Sequence, residues 1–408
     1  MVSRSSTTPK HARGRHKNPA SQRGSLVPAP RRGRVPWATN ATSNRLLAAR
    51  AALQQQGYGR RAIDIALQSI SDKSNKAYDA RWDIYERWCN VQNPPLSPVG
   101  ISSKDLAEFF VFLTDEKDLS YSTISGYRTA INSVLIPSNN KAGTSKVIAR
   151  MIRSVKVANP PVREDHPKWD LRVVLAALAK APFEPIGTCK FKYLTYKTAF
   201  LVLLGSACRR SELHALDVQT LQHGPHWEWV DLLTLPGFRA KHQASDPDPS
   251  RSRVYRLQAM DSTLDREEKL ICPVRALKWY VTRTAVPRGP QRRLFLSLVS
   301  PQKDVHANTI TSWMKTLITY AYENATPENR RLFQLDDGPL NLHRPVHEIR
   351  ALSSTLSWLK GSISIQALMD GCYWKSHNVF TNHYLRSVTV DTVEGLKVAS
   401  RFLPKTLH

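Results

Sequence analysis

The chain has 408 residues, 41% of them hydrophobic, and this length predicts two domains that each bury a core. Lys and Arg number 59 against 33 Asp and Glu, which gives a formal charge of +26 at pH 7. Nine basic residues and no acidic one lie in the first 35 positions, and the remainder still carries +17. So one-sided an excess favours nucleic acid as the partner, with a merely soluble basic protein as the alternative.

The cysteines and the apolar runs argue against several classes of protein. Five cysteines lie far apart, at 89, 189, 208, 272 and 372, and no CxxC pair occurs. This pattern disfavours a zinc ribbon or a disulfide framework and fits a reducing compartment. No apolar run reaches about 18 residues, and the N-terminus lacks the apolar segment of a secretory signal. We therefore expect no transmembrane helix.

The N-terminal part is divided into a tail and a helical domain. Residues 1 to about 42 are rich in Ser, Pro, Arg and Gly and are predicted to be disordered, and we assign a basic tail to residues 1–60. Its RRGR and KHARGRHK clusters are typical of nuclear-targeting or DNA-tethering segments, or of an ordinary basic tail. Four helical patterns, beginning with SNKAYDARWDIYERWC, predict an all-helical domain at residues 61–160. NPPVREDHP indicates a linker.

A mixed domain is predicted at residues 165–408. Helical patterns include TYKTAFLVLLGSACRRSELHAL, CPVRALKWYVTRT and VHEIRALSSTLSWLKG, whereas HWEWVDLLTL and SRVYRLQAM have the aromatic and β-branched content of strands. The predicted fold class is therefore mainly α. An all-helical N-terminal domain precedes a mostly helical domain that contains a small antiparallel sheet.

Three separated segments carry candidate functional side chains. LLGSACRRSELHAL ends a buried apolar helix with Arg209, and an arginine there is costly unless it is paired or functional. HEIR places His347 and Arg350 on one helix face. WKSHNVFTNHYLRS carries Trp374 and Tyr384 close to the C-terminus.

Each of these residues also has an ordinary structural interpretation. Arg209 could simply pair with Glu212 three residues later. His347 would more often be an unremarkable helix histidine, Trp374 a core residue, and Tyr384 the packed end of a helix. Only the combination of the segments, in this order, favours a functional site.

In this order the segments resemble the tyrosine recombinase (phage integrase) family. That family carries an arginine in a TGLRxSEL-like segment, then HxxR, then a His or Trp, and then a tyrosine near the C-terminus. SACRRSEL, HEIR, SISIQALMDGCYW and FTNHYLR match these elements, and GFRAKHQ offers the lysine that the family carries on a β-hairpin. The residues at the matched catalytic positions are Arg209, Lys241, His347, Arg350, Trp374 and Tyr384.

The resemblance implies a site-specific recombinase or integrase that cuts and rejoins double-stranded DNA through a covalent 3′-phosphotyrosyl intermediate, without metal, cofactor or ATP. Tyr384 would be the nucleophile. Arg209 and Arg350 would neutralise charge on the non-bridging phosphate oxygens. His347 would donate to the phosphate or take the tyrosine proton, and Lys241 would protonate the leaving 5′ oxygen.

The resemblance covers roughly residues 62–405 and extends to the domains and the assembly. It implies a core-binding domain at 61–160 and a catalytic domain at 165–408. Trp374 could bond the phosphate and shape the pocket, while Tyr373 is a rival nucleophile outside the HYLR context. We expect a homo-tetramer on two DNA sites, with DTVEGLKVASRFLPKTLH packing on a neighbouring subunit, and no membrane or small-molecule partner.

The branch and the compartment follow from the same resemblance. FRAKHQ and ICPVRALKWYVTRT look most like the DIRS-like and Crypton-like group of eukaryotic mobile elements. A eukaryotic member would act in the nucleus, and any other in the cytoplasm. Phosphate contacts from both domains would make DNA binding steeply salt-dependent. The candidates on the helical domain are Lys73, Lys76, Arg81 and Arg128.

Three other functions stay open. A domesticated relative could bind DNA without cutting it. A metal-dependent transposase or nuclease would need clustered carboxylates, and the acidic residues at 261, 265, 267 and 268 are too local to form such a site. A type IB topoisomerase would share the tyrosine chemistry but would relax DNA without recombining two sites.

Overall fold

The computed structural model describes residues 43–160, 169–241, 253–260, 269–333, 335, 338, 340, 342–359, 364–374 and 376–387. The chain divides into two compact units, Met1–Val162 and Arg163–His408. The predictions for the tail at 1–42, for most of the linker and for the segment DTVEGLKVASRFLPKTLH fall outside the described residues.

The described part of the first unit is helical throughout. Its elements are α1 (Asn44–Gln55), α2 (Arg60–Leu67), α3 (Asp72–Asn90), α4 (Ser103–Asp115), α5 (Tyr121–Leu135), a 3₁₀ turn (Ala142–Thr144) and α6 (Lys146–Ala158). Serine hydroxyls at 43, 71, 102 and 145 accept hydrogen bonds from backbone N–H groups in the first turns of their helices. An aromatic core of Trp82, Tyr85 and Phe109 lies between α3, α4 and α5.

The assignment of residues 44–60 to the disordered tail is wrong. These residues form α1 and the connection to α2, and Ala49 and Ala52 of α1 are buried. The Arg45 guanidinium, 1% exposed, donates to Asp79 at 2.7 Å and to Asn75 at 2.7 Å on α3. A buried and fully engaged arginine ties α1 to the core, which a basic composition alone did not indicate.

The second unit combines helices with one small sheet. Its described elements are α7 (Leu171–Leu178), α8 (Phe191–Ser206), α9 (Arg210–Ala215), β1 (Leu216–His223), β2 (Trp229–Thr234), β3 (Tyr255–Gln258), α10 (Pro273–Arg288), α11 (Ala307–Glu323), α12 (Pro327–Leu332), α13 (Pro345–Leu359), α14 (Ile365–Gly371) and α15 (His377–His383). The prediction of a mainly helical chain with a small antiparallel sheet is confirmed. Among the described helices, none is both long and apolar enough to cross a membrane.

The sheet has the order β1-β2-β3, with both pairs antiparallel. Leu216, at the start of β1, pairs with Thr234 at the end of β2, and Tyr255, at the start of β3, pairs with Leu232. The first residues of β1 and β3 therefore lie at the same end of the sheet, on either side of the last residues of β2. This register brings the residues just before the two strands close to one another.

The predicted continuous helix TYKTAFLVLLGSACRRSELHAL is broken into α8 and α9. Ala207 adopts the left-handed conformation, with φ at 46°, directly after the buried α8. Arg209 then has extended backbone and caps α9. The chain consequently turns between α8 and α9, just before β1. Because of this turn, the Arg209 side chain is partly exposed and is not enclosed in the apolar core around α8.

Candidate active site

Glu212 is the centre of a buried cluster of arginines. Its Oε2 accepts the Arg209 backbone N–H at 2.7 Å, and its Oε1 accepts the Arg209 guanidinium at 2.8 Å. Arg253, just before β3, donates to the same Oε1 at 3.2 Å, and Arg350 Nη1 lies 3.8 Å from Oε2. Burial would raise the pKa of the Glu212 carboxyl, but the charges of Arg350 and Arg209 outweigh it and lower the pKa.

Arg350 is almost fully enclosed. It lies on α13, 2% exposed, and donates to the carbonyl oxygens of Ala207 and Cys372, the latter at 2.7 Å. Its guanidinium also lies 5.1 Å from the ring centroid of Trp374 and 5.2 Å from that of Tyr384. Arg350 therefore joins the α8–α9 turn to the segment that carries the C-terminal aromatic residues.

The aromatic side chains around Arg350 form a continuous row of ring contacts, some stacked and some tilted or edge-on. The Tyr384 ring lies between His347, with centroids 4.8 Å apart, and Trp374, with centroids 4.7 Å apart. Trp374 in turn stacks on Phe380 at 5.4 Å, and Phe380 contacts Trp358 at 5.8 Å. The predicted residues Tyr384, His347 and Trp374 are thus neighbours in space, although 37 positions separate the first two in sequence.

His347 has a lowered pKa. Partial burial has the largest effect, and the positive charges of Arg386, Arg350, Arg344 and His383 add to it, so the pKa falls from about 6.5 to about 4. The residue nevertheless keeps an exposed surface, so it remains reachable by solvent. A histidine in this environment is neutral near pH 7 and can accept a proton.

Two buried donors in the site have no acceptor among the described residues. They are Nε of Arg350 and Nε1 of Trp374. An unsatisfied buried donor costs roughly 1–3 kcal/mol. Trp82 and Trp169, in the two apolar cores, also have indole N–H groups without an acceptor among the described residues, so these atoms alone do not identify a binding site. Within the same described residues, no group of three His, Cys, Asp or Glu side chains is arranged to hold a metal ion.

Lys241 is not brought into this cluster. It is exposed on the connection between β2 and β3, and within the part of the chain that the structure describes it has no hydrogen bond or ion pair with the other predicted residues. Among the described residues of this connection, Arg253 reaches the cluster, where it donates to Glu212. A guanidinium in the same connection was a signal available in the sequence, but its pairing with Glu212, 41 residues away, was not.

The two neighbours of the predicted residues have other roles. Arg210 donates to Asn308 at 2.8 Å and to Thr311 at 3.3 Å, both on α11. The Tyr373 hydroxyl donates to the Val254 carbonyl at 3.0 Å, and its ring lies 4.4 Å from the Arg253 guanidinium. Arg210 and Tyr373 therefore connect neighbouring elements of the fold. Arg209 instead belongs to the arginine cluster, and Tyr384 belongs to the row of aromatic rings.

The candidate DNA contacts of the helical unit differ in exposure. Lys73 and Lys76 are exposed on α3. Arg81 lies over the Tyr127 ring at 6.0 Å, and Arg128 donates to the Gly143 carbonyl at 2.8 Å. Of the four, the two lysines are the better placed to meet a phosphate.

Several solved structures are similar to this chain, although no family model and no curated protein matches it. The XerA recombinase crystal structure has 15% identity and a TM-score of 0.35, covering 88% of this chain and 98% of that chain. The Tn1549 transposon integrase in complex with circular intermediate DNA has 14% identity and a TM-score of 0.49, covering 85% and 98%. A lambda integrase tetramer bound to a Holliday junction has 12% identity and a TM-score of 0.46, covering 79% and 74%. At these identities and TM-scores, the function of this chain has to follow from its own side chains.

Proposed function

We propose that this chain is a site-specific tyrosine recombinase that cuts and rejoins double-stranded DNA. The observation that carries the proposal is the position of Tyr384. Its ring lies between His347 and Trp374 and 5.2 Å from the guanidinium of the buried Arg350. A phenol beside a neutral histidine and a buried arginine combines a nucleophile with a base and a phosphate ligand.

The charge of the cluster supports an anionic substrate. Arg209 and Arg350 both approach the carboxylate of Glu212, so these three side chains together carry a formal charge of +1. Arg209 is the most exposed of the three, at 15%, and can contact a ligand from the surface. A phosphodiester would supply negative charge together with acceptors for planar guanidinium donors.

The proposed cleavage step gives each of the predicted residues one role. The Tyr384 oxygen attacks the phosphorus and gives its proton to His347, while the bond from phosphorus to the 5′ oxygen breaks. Arg209 and Arg350 stabilise the charge on the non-bridging oxygens. The family resemblance assigns protonation of the 5′ oxygen to Lys241, although this exposed residue lies outside the arginine cluster in the structure. The reverse attack by a 5′ hydroxyl restores both the DNA and the phenol, so no energy source is needed.

Trp374 is the proposed wall of the phosphate pocket. It is 6% exposed, packs against both Tyr384 and Phe380, and presents a buried indole N–H for which the described residues offer no acceptor. The N–H would donate to a phosphate oxygen once DNA is bound.

We further propose a tetramer on two DNA sites, which exchanges strands for the integration or recombination of a mobile element of the DIRS-like or Crypton-like kind. In a eukaryotic host such a protein would act in the nucleus. The tetramer would be measured by mass photometry of the complex with cognate DNA, and a complex that stays monomeric on paired sites would overturn it.

The central experiment is covalent trapping on a nicked suicide substrate. DNA sites are first selected from a random or genomic pool by binding to the full chain. Wild type and Tyr373→Phe are expected to form a covalent protein–DNA adduct, and Tyr384→Phe none, because only Tyr384 lies beside His347 and Arg350. An adduct formed by Tyr384→Phe but not by Tyr373→Phe would identify Tyr373, and not Tyr384, as the nucleophile.

The alternatives are separate outcomes of the same experiment. A wild-type chain that binds the selected sites without forming any adduct would be a DNA-binding relative that does not cut. Cleavage that stops in a chelator would favour a metal-dependent nuclease. Relaxation of supercoiled DNA without exchange between two sites would favour a topoisomerase.

The role of Lys241 has its own test. A substrate with sulfur in place of the bridging 5′ oxygen releases a thiolate, which needs no proton to leave. Lys241→Ala is expected to be slow on ordinary DNA and to recover on the sulfur substrate. A variant that is equally slow on both substrates would remove Lys241 from the role of acid.

A further inference from the structure

The residues that follow Tyr384 are fastened to the helix that carries His347 and Arg350. Arg386 donates from Nε to Glu348 Oε1 at 3.1 Å and from Nη2 to Glu348 Oε2 at 3.2 Å. Glu348 lies in the first turn of α13, immediately after His347. The two side chains are 9% and 8% exposed, so this two-point ion pair is largely shielded from water.

The other donors of Arg386 close the end of α15. Nη1 donates to the carbonyl oxygens of His383 at 3.2 Å and Leu385 at 3.3 Å. The guanidinium thereby binds the residues on both sides of Tyr384 while it holds Glu348. The tyrosine cannot move along α13 without breaking these bonds.

Thr355 makes a second attachment about two turns further along the same face of α13. Its hydroxyl donates to the Tyr384 carbonyl at 3.0 Å and accepts the Arg386 N–H at 3.0 Å, and the residue is fully buried. One side chain thus satisfies both backbone groups that flank Leu385. In strands or helices these groups would be paired with backbone, so the hydroxyl replaces secondary structure at this point.

We propose that Glu348, Thr355 and Arg386 are positioning residues that hold the Tyr384 phenol at the phosphate pocket. This inference rests on the proposed function. The three residues, which we call the tyrosine clasp, touch neither the phosphate nor the phenol oxygen in this role. They fix the backbone from which the nucleophile projects, and misplacement of a reacting group by about 1 Å can cost on the order of 10²-fold in rate.

The charge of Arg386 acts on the same site in a second way. Arg386 has the largest effect among the charged groups that lower the pKa of His347, ahead of Arg350, Arg344 and His383. Removing Arg386 would therefore loosen the nucleophile and change its base together. Thr355 carries no charge, so its substitution tests the positional role alone.

The first measurement compares Thr355→Val with Thr355→Ser. Valine keeps the shape but removes the hydroxyl, so the single-turnover rate of adduct formation at saturating DNA should fall about tenfold or more. Serine keeps the hydroxyl and should retain a rate close to wild type. DNA affinity should stay within about twofold for both, because neither contacts DNA in this scheme.

The second measurement is a double-mutant cycle in Glu348→Gln and Arg386→Ala. Because the two side chains form one unit, the double variant should be no slower than the slower single variant. Asp231 and Arg256 provide the matched control, since they form the same two-point pair, at 2.7 and 2.5 Å, on β2 and β3. Asp231→Asn should leave the rate unchanged.

The outcomes separate the clasp from the proposed function. A wild-type chain without adduct refutes the function, and the clasp falls with it. A wild-type chain that forms adduct while Thr355→Val reacts at the same rate refutes the clasp alone. Equal losses in rate and in DNA affinity for the clasp variants would also refute it, since that pattern reports general damage to the domain.

Discussion

In the second unit, Glu184 and Glu212 each pair with more than one cation, and comparing them separates a cluster that stabilises the fold from the proposed phosphate site. Glu184 accepts two hydrogen bonds from Arg275, at 2.7 and 3.0 Å, and one from the fully buried Lys197. Lys197 also donates to the Leu178 carbonyl at 2.7 Å. Burial lowers the pKa of Lys197 to about 8, against the opposing effect of Glu184. Lys197, Arg275 and Glu184 therefore all hydrogen bond to other groups of the protein.

Glu212 is approached by three cations, one more than approach Glu184, and its cations differ in exposure and in their other contacts. Three guanidiniums approach it, one of them 15% exposed, and the Arg350 Nε has no acceptor among the described residues. Aromatic rings rather than carboxylates cover the faces of Arg350. Burial and ion pairing are therefore common to both clusters. The partly exposed guanidinium of Arg209 and the phenol beside Arg350 distinguish the cluster that we propose binds a phosphate.

The largest expected effect is on stability, in the Glu184 cluster. Glu184→Ala removes the only carboxylate near the buried Lys197 that the structure describes, and breaking such a buried pair costs about 3–5 kcal/mol. Arg275→Ala should cost at most about 1 kcal/mol, because Arg275 is 30% exposed and Lys197 keeps its partner. Urea denaturation measures both, and equal losses would contradict the burial argument.

The next effect is on catalysis, in the Glu212 cluster. Arg350→Ala should lower the rate of adduct formation by about 10²–10³, because a ligand of the developing phosphate charge is lost. Arg350→Lys should remain slow, since an ammonium cannot replace the planar fork that reaches both Ala207 and Cys372. Arg275→Ala is the control and should retain the wild-type rate. Equal rates for Arg350→Ala and Arg275→Ala would erase the distinction between the clusters.

A smaller effect is expected for Arg253, which orients Glu212 and packs on Tyr373. Arg253→Ala should slow adduct formation about tenfold, less than the roughly 10²-fold cost of a 1 Å misplacement, because Arg209 and Arg350 still hold Glu212. DNA affinity is measured in parallel by titration. A loss of affinity as large as the loss of rate would instead place Arg253 among the DNA contacts.

The smallest expected effect is a shift in the acid limb of the pH profile of kcat/KM. Protonated His347 cannot take the phenol proton, so kcat/KM should fall as the pH drops through the pKa of His347 in the free protein, about 4. Arg386→Gln removes a nearby positive charge, which raises that pKa and moves the fall to higher pH. The profile is measured where circular dichroism shows folded protein. An unmoved acid limb in Arg386→Gln would exclude His347 as the base.

Much of the fold was predictable because the spacing of apolar residues within a short segment indicates which face of a helix or strand is buried. The periodicity of SNKAYDARWDIYERWC predicted α3, and its face residues Trp82, Tyr85 and Cys89 are buried. The strand β1 was missed because LDVQTLQH lacks clear alternation, and it is completed by pairing with β2. The break at Ala207 was missed because the apolar pattern of α8 continues to Cys208. The interaction that accompanies the break, a hydrogen bond from the Arg209 backbone N–H to the Glu212 carboxylate, is not visible in the sequence pattern.

By itself the sequence determined the fold class, the excess of basic charge, and the five candidate residues Arg209, His347, Arg350, Trp374 and Tyr384 that lie together in the structure. Local helix and strand patterns predicted the fold class, and the resemblance to the tyrosine recombinase family selected the five residues. Only the tertiary structure decided the partners: Arg253 beside Glu212, and Arg386 and Thr355 around Tyr384. A lone arginine or threonine has many possible acceptors, and which one it meets depends on strand register and helix packing between residues far apart in the chain.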